Sequence, residues 1–277
     1  MTGDFPQRAF PSIPLNSREG KPRTVGLTEV RGPIYDVIGP AYLTDLFDLM
    51  GPYIDIFKFG GAAFALMEEK HIRRMIDLCH EYDVKVSTGG SIETVLRHGP
   101  DAVKAYLGEA HDLGFDVVEL STGFISMPLD DLLRLVSETT DLGLMPKPEI
   151  NVQFGAGGTS TEATLEGMGS IDLGWAVHCA NACLEAGAPL VMLESEGVTE
   201  SVTEWRTDVP ARMASELGLE RVMFEAADPE VYSWYIKQFG PEVNVFIDHS
   251  QIINLESIRT GLWGNGDLWG RVVTYKG

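Results

Sequence analysis

Eight short strand-like runs alternate with helix-like runs along almost the whole chain, and this alternation most constrains the fold. The runs are apolar almost throughout and rich in β-branched residues, as expected for strands covered on both faces. They lie at 24–30, 53–60, 84–90, 115–123, 144–152, 189–197, 221–227 and 243–250. Eight βα units predict a fold of class α/β, a single closed (β/α)8 TIM barrel.

The segments between the strands carry apolar residues at helical spacing, and several of them end at a glycine just before the next strand. An open doubly wound sheet is the alternative architecture. It usually has fewer strands and a GxGxxG phosphate fingerprint after the first strand, where this chain has "RGPIYD". We therefore assign residues 23–277 to one barrel domain and residues 1–22, a Pro-rich segment, to an N-terminal lead-in.

The composition is that of a globular protein, and its charge narrows the range of partners. Its 277 residues carry a formal net charge of −20, which makes nucleic acid and anionic membranes poor partners. No apolar run approaches the ~20 residues that span a bilayer, and the N-terminus lacks a secretory signal pattern. The three cysteines form no CxxC motif, so we expect free thiols and a cytoplasmic location. We expect a small-molecule substrate; barrels of this kind are commonly homo-oligomers, although the sequence identifies no interface.

Polar residues fall late in the predicted strands. The carboxyl ends of barrel strands form the rim where active sites lie, so seven strands would send ionisable or hydroxyl groups to one mouth. These groups are Glu29, Arg31, Lys58, Glu119, Ser121, Lys147, Glu149, Glu194, Glu196, Glu225, Asp248 and His249. Lys58 stands between Phe57 and Phe59, which indicates that it points into the barrel while the two rings point outward.

The stretch "LVMLESEGVT" at 190–199 places Glu194 and Glu196 two residues apart. In a continuous strand such residues share a face, and two carboxylates side by side need a cation, a proton or a strong donor between them. Hard oxygen ligands favour Mg²⁺. The sequence therefore predicts a magnesium site, for which the candidate ligands are Glu149, Glu194, Glu196, Glu225 and Asp248.

Two glycine-containing segments are candidates for binding an anion. The segment 154–160, "FGAGGTS", is either a flexible lid or a nest of backbone N–H groups. The segment 257–270 follows the eighth strand, where barrels often bind phosphate, and it contains Arg259.

The residues also resemble a known family. The motifs "DIFKFGG", "VSTGG", "GFDVVELSTGFISM", "KPEI", "VMLESEG", "VMFEAADPE" and "FIDHSQIINLESIRTGLWG" occur in the order found in the phosphosulfolactate synthase family, from about residue 23 to 271. The family includes the plant heat-stress-associated 32-kDa proteins, and this chain resembles the plant and bacterial branch more closely. The resemblance implies a (β/α)8 barrel and, from the archaeal enzymes, Mg²⁺-dependent addition of sulfite to phosphoenolpyruvate.

That reaction suggests roles for the residues at the rim. A nucleophile attacks the terminal carbon of an alkene conjugated to a carboxylate, a divalent cation stabilises the resulting charge, and a lysine of tuned pKa protonates the neighbouring carbon. The candidate catalytic residues are Lys58, Lys147, Glu119 and Arg31. The candidate substrate-binding residues are Glu29, Ser121, Arg259 and His249.

One motif departs from the archaeal pattern. Where those enzymes have a segment like Leu-Asp-Lys-Gly on strand one, this chain has Glu29-Val30-Arg31-Gly32. Arginine binds a carboxylate or phosphate but is a poor proton donor. Two further hypotheses therefore accompany the lyase hypothesis. One is a related enzyme that adds an oxygen nucleophile to a different alkene, by hydration or intramolecular hydroalkoxylation. The other, suggested by the plant branch, is a non-enzymatic stress-protective protein.

Overall fold

The computed structural model describes residues 8–158, 160–226 and 228–275. Eight parallel strands close into a barrel in which each strand pairs with the next and the eighth pairs with the first. The strands are β1 Thr28–Arg31, β2 Ile56–Lys58, β3 Lys85–Ser87, β4 Val117–Leu120, β5 Met145–Ile150, β6 Val191–Leu193, β7 Val222–Glu225 and β8 Asn244–Asp248. The predicted (β/α)8 barrel is confirmed, with strands shorter than the apolar runs that indicated them.

Helices cover the outside of the barrel. They are α1 Pro40–Met50, α2 Glu69–Glu81, α3 Glu93–Leu96, α4 Pro100–Leu113, α5 Leu129–Asp141, α6 Glu162–Met168, α7 Leu173–Glu185, α8 Asp208–Leu217, α9 Pro229–Phe239 and α10 Ile252–Arg259. Short 3₁₀ turns lie at Gly51–Tyr53, Ala63–Leu66, Gly89–Ile92, Leu219–Arg221 and His249–Gln251. Within the described ranges, none of the helices combines the length and apolarity that crossing a membrane requires.

The alternation of side chains along each strand separates an apolar layer from a charged one. Outward-facing residues such as Phe57 pack against the helices, whereas Ile56 belongs to a small apolar cluster inside the barrel. Two residues further along the same interior row comes Lys58, as Glu119 follows Val117 on β4. The pleat therefore places a ring of ionisable side chains next to this apolar cluster, on the side of the carboxyl ends of the strands.

The described part of the lead-in packs across the opposite, N-terminal end of the barrel. Arg18 forms an ion pair with Glu256 of α10, with 2.9 Å between Nε and Oε2. The Asn16 side-chain amide donates a hydrogen bond to the carbonyl of Val272 at 2.7 Å. Residues 8–22 are therefore joined to the barrel by specific contacts, and residues 1–7 of the predicted lead-in lie outside the described residues.

Arg259 also lies at this N-terminal end, and the prediction that it binds substrate is wrong. Its guanidinium is fully buried and donates hydrogen bonds to Thr28 Oγ1 at 2.6 Å and to the Val243 carbonyl at 2.6 Å. Thr28 is the first residue of β1, and Val243 directly precedes β8. Because α10 runs back along the barrel after β8, its last turn returns to the end opposite the mouth, where Arg259 fastens the helix to β1 and β8.

Candidate active site

A cavity of about 290 Å³ opens at the carboxyl ends of the strands. Its lining contains two cations, Arg31 and Lys58. It also contains six carboxylates, those of Glu93, Glu119, Glu149, Glu194, Glu200 and Glu225. A groove of about 490 Å³ between α2 and α4 is larger, but the charged residues along it are exposed to solvent. Enclosed ionisable groups make the barrel mouth the candidate active site.

An array of ion pairs forms the floor of this cavity. Lys58 Nζ lies 2.7 Å from Glu119 Oε1, and Lys147 Nζ lies 3.0 Å from Glu119 Oε2. Lys147 also forms an ion pair with Glu29. Glu119 and Lys147 stand level with one another in the β4–β5 register, which brings their side chains together inside the barrel.

Two candidate residues of this array do not reach the cavity. Lys147 and Glu29 have no exposed side-chain surface, and neither is among the residues that line the cavity. This corrects the predictions that Glu29 binds substrate and that Lys147 is a catalytic residue, since neither can touch a ligand in the cavity. Together they act as a buried support for Glu119.

The ammonium group of Lys58 is the floor cation that lines the cavity. It lies 4.1 Å from the centroid of the Phe246 ring, a cation–π contact. Burial alone would lower the pKa of Lys58, but the surrounding carboxylates, above all Glu119 and then Glu225, raise it above its usual value. The structure therefore corrects the expectation of a lysine with a pKa tuned toward neutrality: Lys58 is protonated throughout the neutral pH range.

Three further carboxylates face one another across the cavity. Burial raises the pKa of Glu149 to about 8, with a further contribution from the charge of Glu119. Burial raises the pKa of Glu225 to about 7, and nearby carboxylates add to the effect. Burial also raises the pKa of Glu194, to which the charges of Glu225 and Glu149 contribute. Each carboxylate is costly to ionise while the others are ionised.

A divalent cation would relieve this repulsion, and three carboxylates are the hard oxygen donors that Mg²⁺ prefers. The donor chemistry of Glu149, Glu194 and Glu225 therefore fits Mg²⁺. In residues 8–158, 160–226 and 228–275, however, no three His, Cys, Asp or Glu side chains have already converged as an assembled metal site.

The raised pKa of Glu149 predicts a pH-dependent stability in metal-free protein. In the folded state Glu149, which faces Lys58, Glu119, Glu225 and Ser121, keeps its proton up to about pH 8. In the unfolded chain it loses the proton near the ordinary glutamate pKa of 4.5, so the unfolded state binds fewer protons between these values. The free energy of unfolding is therefore expected to fall as pH rises through this window.

Urea unfolding in EDTA at pH 5, 6.5 and 8 measures this effect. The free energy of unfolding should decrease less with pH in Glu149→Gln, because glutamine has no proton to lose. The matched control is Glu138→Gln on the exposed face of α5, which should unfold with the pH dependence of the wild type. The same slope in Glu149→Gln and wild type would show that Glu149 is ionised in the folded protein.

Glu194 and Glu196 do not share a face, contrary to the sequence prediction. Strand β6 ends at Leu193, so the alternation of side chains does not extend to Glu196. The Glu196 carboxylate instead accepts hydrogen bonds from Gly157 N at 3.0 Å and Ser160 N at 2.9 Å. Glu194 lines the cavity, whereas Glu196 fixes the loop after β5 and is not among the lining residues.

The prediction for the end of β8 is also corrected. Asp248 does not line the cavity, because its Oδ2 accepts hydrogen bonds from Arg31, at 3.2 Å from Nη2. His249 does not line the cavity either. Its Nδ1 lies 3.0 Å from the Arg31 carbonyl, and its ring packs edge-on against the ring of Tyr42 in α1, with 5.1 Å between the ring centroids. Asp248 therefore holds Arg31 in place, and His249 packs against α1 rather than a substrate.

Two lining carboxylates were missed by the search of strand ends. Glu93 opens the short helix α3, and its Oε1 accepts hydrogen bonds from Gly123 N and Ser121 Oγ, each at 2.6 Å. Ser121 Oγ also lies 2.7 Å from Glu149 Oε1, so this predicted residue does line the cavity. Glu200, in the loop after β6, accepts a hydrogen bond from Ser195 Oγ at 2.7 Å. The cue for Glu93 is the "TGGSIET" turn, where glycines bring a helix N-terminus close to the barrel mouth.

Comparison with known proteins relates this barrel to one family. The family model described as (2R)-phospho-3-sulfolactate synthase matches residues 16–265. Protein HEAT-STRESS-ASSOCIATED 32 of Arabidopsis thaliana is 38% identical over 254 residues, which cover 87% of this chain and 88% of the relative. Phosphosulfolactate synthase of Methanothermobacter thermautotrophicus is 29% identical over 262 residues, covering 92% and 95%.

Solved structures agree with the fold. A crystal structure of a putative fructose-1,6-biphosphate aldolase from Coccidioides immitis superposes with a TM-score of 0.56 at 12% identity, covering 85% of this chain and 80% of that one. At this identity the likeness is one of fold alone.

Proposed function

The chain belongs to the (2R)-phospho-3-sulfolactate synthase family, and from this we propose that it is a lyase-type enzyme that adds a nucleophile across an activated carbon–carbon double bond. The reaction would take place in the cavity at the carboxyl ends of the strands. The family reaction is the first candidate: sulfite sulfur bonds to the terminal carbon of phosphoenolpyruvate, the π electrons move onto the carboxylate, and the neighbouring carbon takes up a proton.

The observation that carries this proposal is the Lys58 ammonium, held at the floor of an otherwise acidic cavity. Addition to a conjugated acid pushes negative charge onto its carboxylate, and a fixed cation in an enclosed site stabilises that charge without reorganisation. Lys58 also carries its proton throughout the neutral pH range, and the carbanion that addition forms next to the carboxylate is a far stronger base than an amine, so this carbon would take the proton from Lys58. Glu119 and Lys147 keep it in place.

The proposal includes Mg²⁺, held by Glu149, Glu194 and Glu225. When bound, the cation would polarise the substrate carboxylate as a Lewis acid. Ser121, hydrogen-bonded to both Glu93 and Glu149, would orient the Glu149 carboxylate in either case. Arg31, fixed by Asp248 and stacked 5.0 Å from the Tyr35 ring centroid, would be the second positive group at the mouth.

The first test incubates the protein with sulfite, phosphoenolpyruvate and Mg²⁺ and measures phosphosulfolactate by mass spectrometry, with EDTA as the control. Product that depends on Mg²⁺ would support the family reaction. Folded wild-type protein that forms no product, also at high sulfite, would contradict that reaction for this chain.

A second candidate is the addition of an oxygen nucleophile, by hydration or intramolecular hydroalkoxylation, to a different alkene. It is favoured by the pairing of both lining cations with carboxylates, Lys58 with Glu119 and Arg31 with Asp248. A cavity of this kind offers little to a phosphate and a sulfonate together. Mass spectrometric screening of conjugated enoic acids for a gain of one water would detect the hydration.

A further inference from the structure

The charge balance of the cavity limits the substrates that it can accept. Six lining carboxylates face two lining cations, so acidic groups exceed basic groups by four. Protons shared among the carboxylates, or one Mg²⁺, would offset part of this excess. Arg31 and Lys58 are each within hydrogen-bonding distance of a carboxylate, and the described part of the lining contains no third cation. A ligand with several negative charges would enter against this field.

The two features that would otherwise capture an oxyanion are already engaged within the protein. The backbone N–H groups of Gly157 and Ser160 form a nest suited to an anion, but the carboxylate of Glu196 occupies it. Arg259, the cation expected after the last strand, is buried at the opposite end of the barrel. The described mouth therefore retains neither an open nest nor the arginine predicted for a phosphate group.

Two loops at the mouth instead present apolar, exposed side chains to the cavity. Ile34 and Tyr35, from the loop after β1, and Phe124, from the loop after β4, line the cavity with exposed fractions of 42%, 65% and 62%. These side chains rest on glycine backbone. A Cβ added at Gly60 would lie 2.8 Å from Ile34 Cβ, and one at Gly157 would lie 2.8 Å from the Phe124 ring. Such close support holds these side chains in place as apolar surfaces against which an apolar group in the cavity can pack.

From these observations we propose that the substrate bears an apolar group, aromatic or alkyl, which packs on Ile34, Tyr35 and Phe124, and that it carries no phosphate or sulfonate and no more than one carboxylate. This inference rests on the proposed addition to a conjugated double bond and names its substrate class, which favours the second candidate reaction over the family reaction with its phosphate and sulfonate. These apolar side chains would determine specificity, while Lys58 and the lining carboxylates would contact the reacting end.

Isothermal titration calorimetry tests the inference without requiring turnover. The probes are trans-cinnamate, a conjugated monocarboxylic acid with a phenyl ring, acrylate, the same acid without the ring, and phosphoenolpyruvate, each with Mg²⁺ and with EDTA. We expect cinnamate to bind at least about tenfold more tightly than acrylate, because the ring buries apolar surface. Phosphoenolpyruvate should bind more weakly than cinnamate in both conditions.

Two variants test whether the difference in affinity between cinnamate and acrylate arises at the apolar side chains of the mouth. Phe124→Ala should remove most of the difference between cinnamate and acrylate, whereas Trp263→Ala, an exposed ring that does not line the cavity, should leave it unchanged. Equal affinities for the two acids, an unchanged difference in Phe124→Ala, or tighter binding of phosphoenolpyruvate would each overturn the inference. Because binding is measured here and product formation in the sulfite assay, a chain that turns over phosphoenolpyruvate would refute this inference while leaving the proposed lyase function intact.

Discussion

Replacing Lys147 with methionine is expected to lower the free energy of unfolding by about 3–5 kcal/mol, the largest stability effect at the barrel mouth. The ammonium lies between Glu29 and Glu119, and all three side chains are excluded from solvent. Its removal leaves Glu29 without its ion-pair partner and Glu119 with Lys58 alone. A buried carboxylate without a counter-charge either stays ionised at high cost or takes up a proton, and both outcomes favour unfolding. Urea unfolding followed by circular dichroism at pH 7 measures the loss.

Two further variants separate the missing charge from a general loss of packing. In Glu29→Leu/Lys147→Met the pair is removed together, and the double variant should recover much of the stability, because an apolar pair replaces the ionic one. Lys70→Met is the matched surface control. Its ion pair with Glu68 is largely exposed, so the change should stay within about 0.5 kcal/mol. A Lys147→Met variant as stable as Lys70→Met would show that the buried array is not a structural support.

The sequence predicted the architecture because the barrel is encoded locally. Each strand and helix has its own apolar period, and eight repeats leave few ways to arrange them. The inward direction of Lys58 was predictable for the same reason, since the rings of Phe57 and Phe59 on either side must pack against helices. The glycines that end helices were equally predictable from the sequence. Gly114, for example, ends α4 with a φ of 97°.

The site was less predictable because it depends on where each element stops and on which residues meet across the barrel. An apolar run does not show that β6 ends at Leu193, and this boundary decides that Glu196 holds a loop. The direction of a helix after the last strand decides that Arg259 lies at the wrong end for a ligand. The pair of Lys147 and Glu29 joins residues that are 118 positions apart. Such pairings appear only once the barrel closes.

The same closure explains why an acidic mouth is compatible with a stable protein. Four of the charges, those of Glu29, Lys58, Glu119 and Lys147, neutralise one another at the floor. The excess negative charge is then concentrated on the carboxylates above, among them Glu149 and the neighbouring Glu194 and Glu225. There a proton or a bound cation can offset it. The floor therefore supplies stability, and the layer above it retains the capacity to bind and react.

Replacing Lys58 with methionine is expected to reduce kcat/KM for the addition reaction by about 10³-fold or more, the largest effect on activity. The change removes both the cation that stabilises the developing carboxylate charge and the proposed proton donor, and each contribution alone is typically worth about 10²-fold or more. The assay measures phosphosulfolactate, or the product of whichever alkene the wild type converts. The protein should remain folded, because Glu119 keeps its ion pair with Lys147.

Lys58→Arg separates the two proposed roles of this side chain, the stabilising positive charge and the proton donor. The guanidinium keeps the positive charge but is a poor proton donor, so this variant should bind substrate nearly as well as the wild type while its kcat stays low. Lys58→Met should lose both binding and kcat. If Lys58→Arg retained wild-type kcat, Lys58 would act through its charge alone and the proton would have to come from another group in the cavity. If Lys58→Met kept more than about a tenth of wild-type activity, a loss below that expected from either contribution, the reaction would not depend on the floor cation at all.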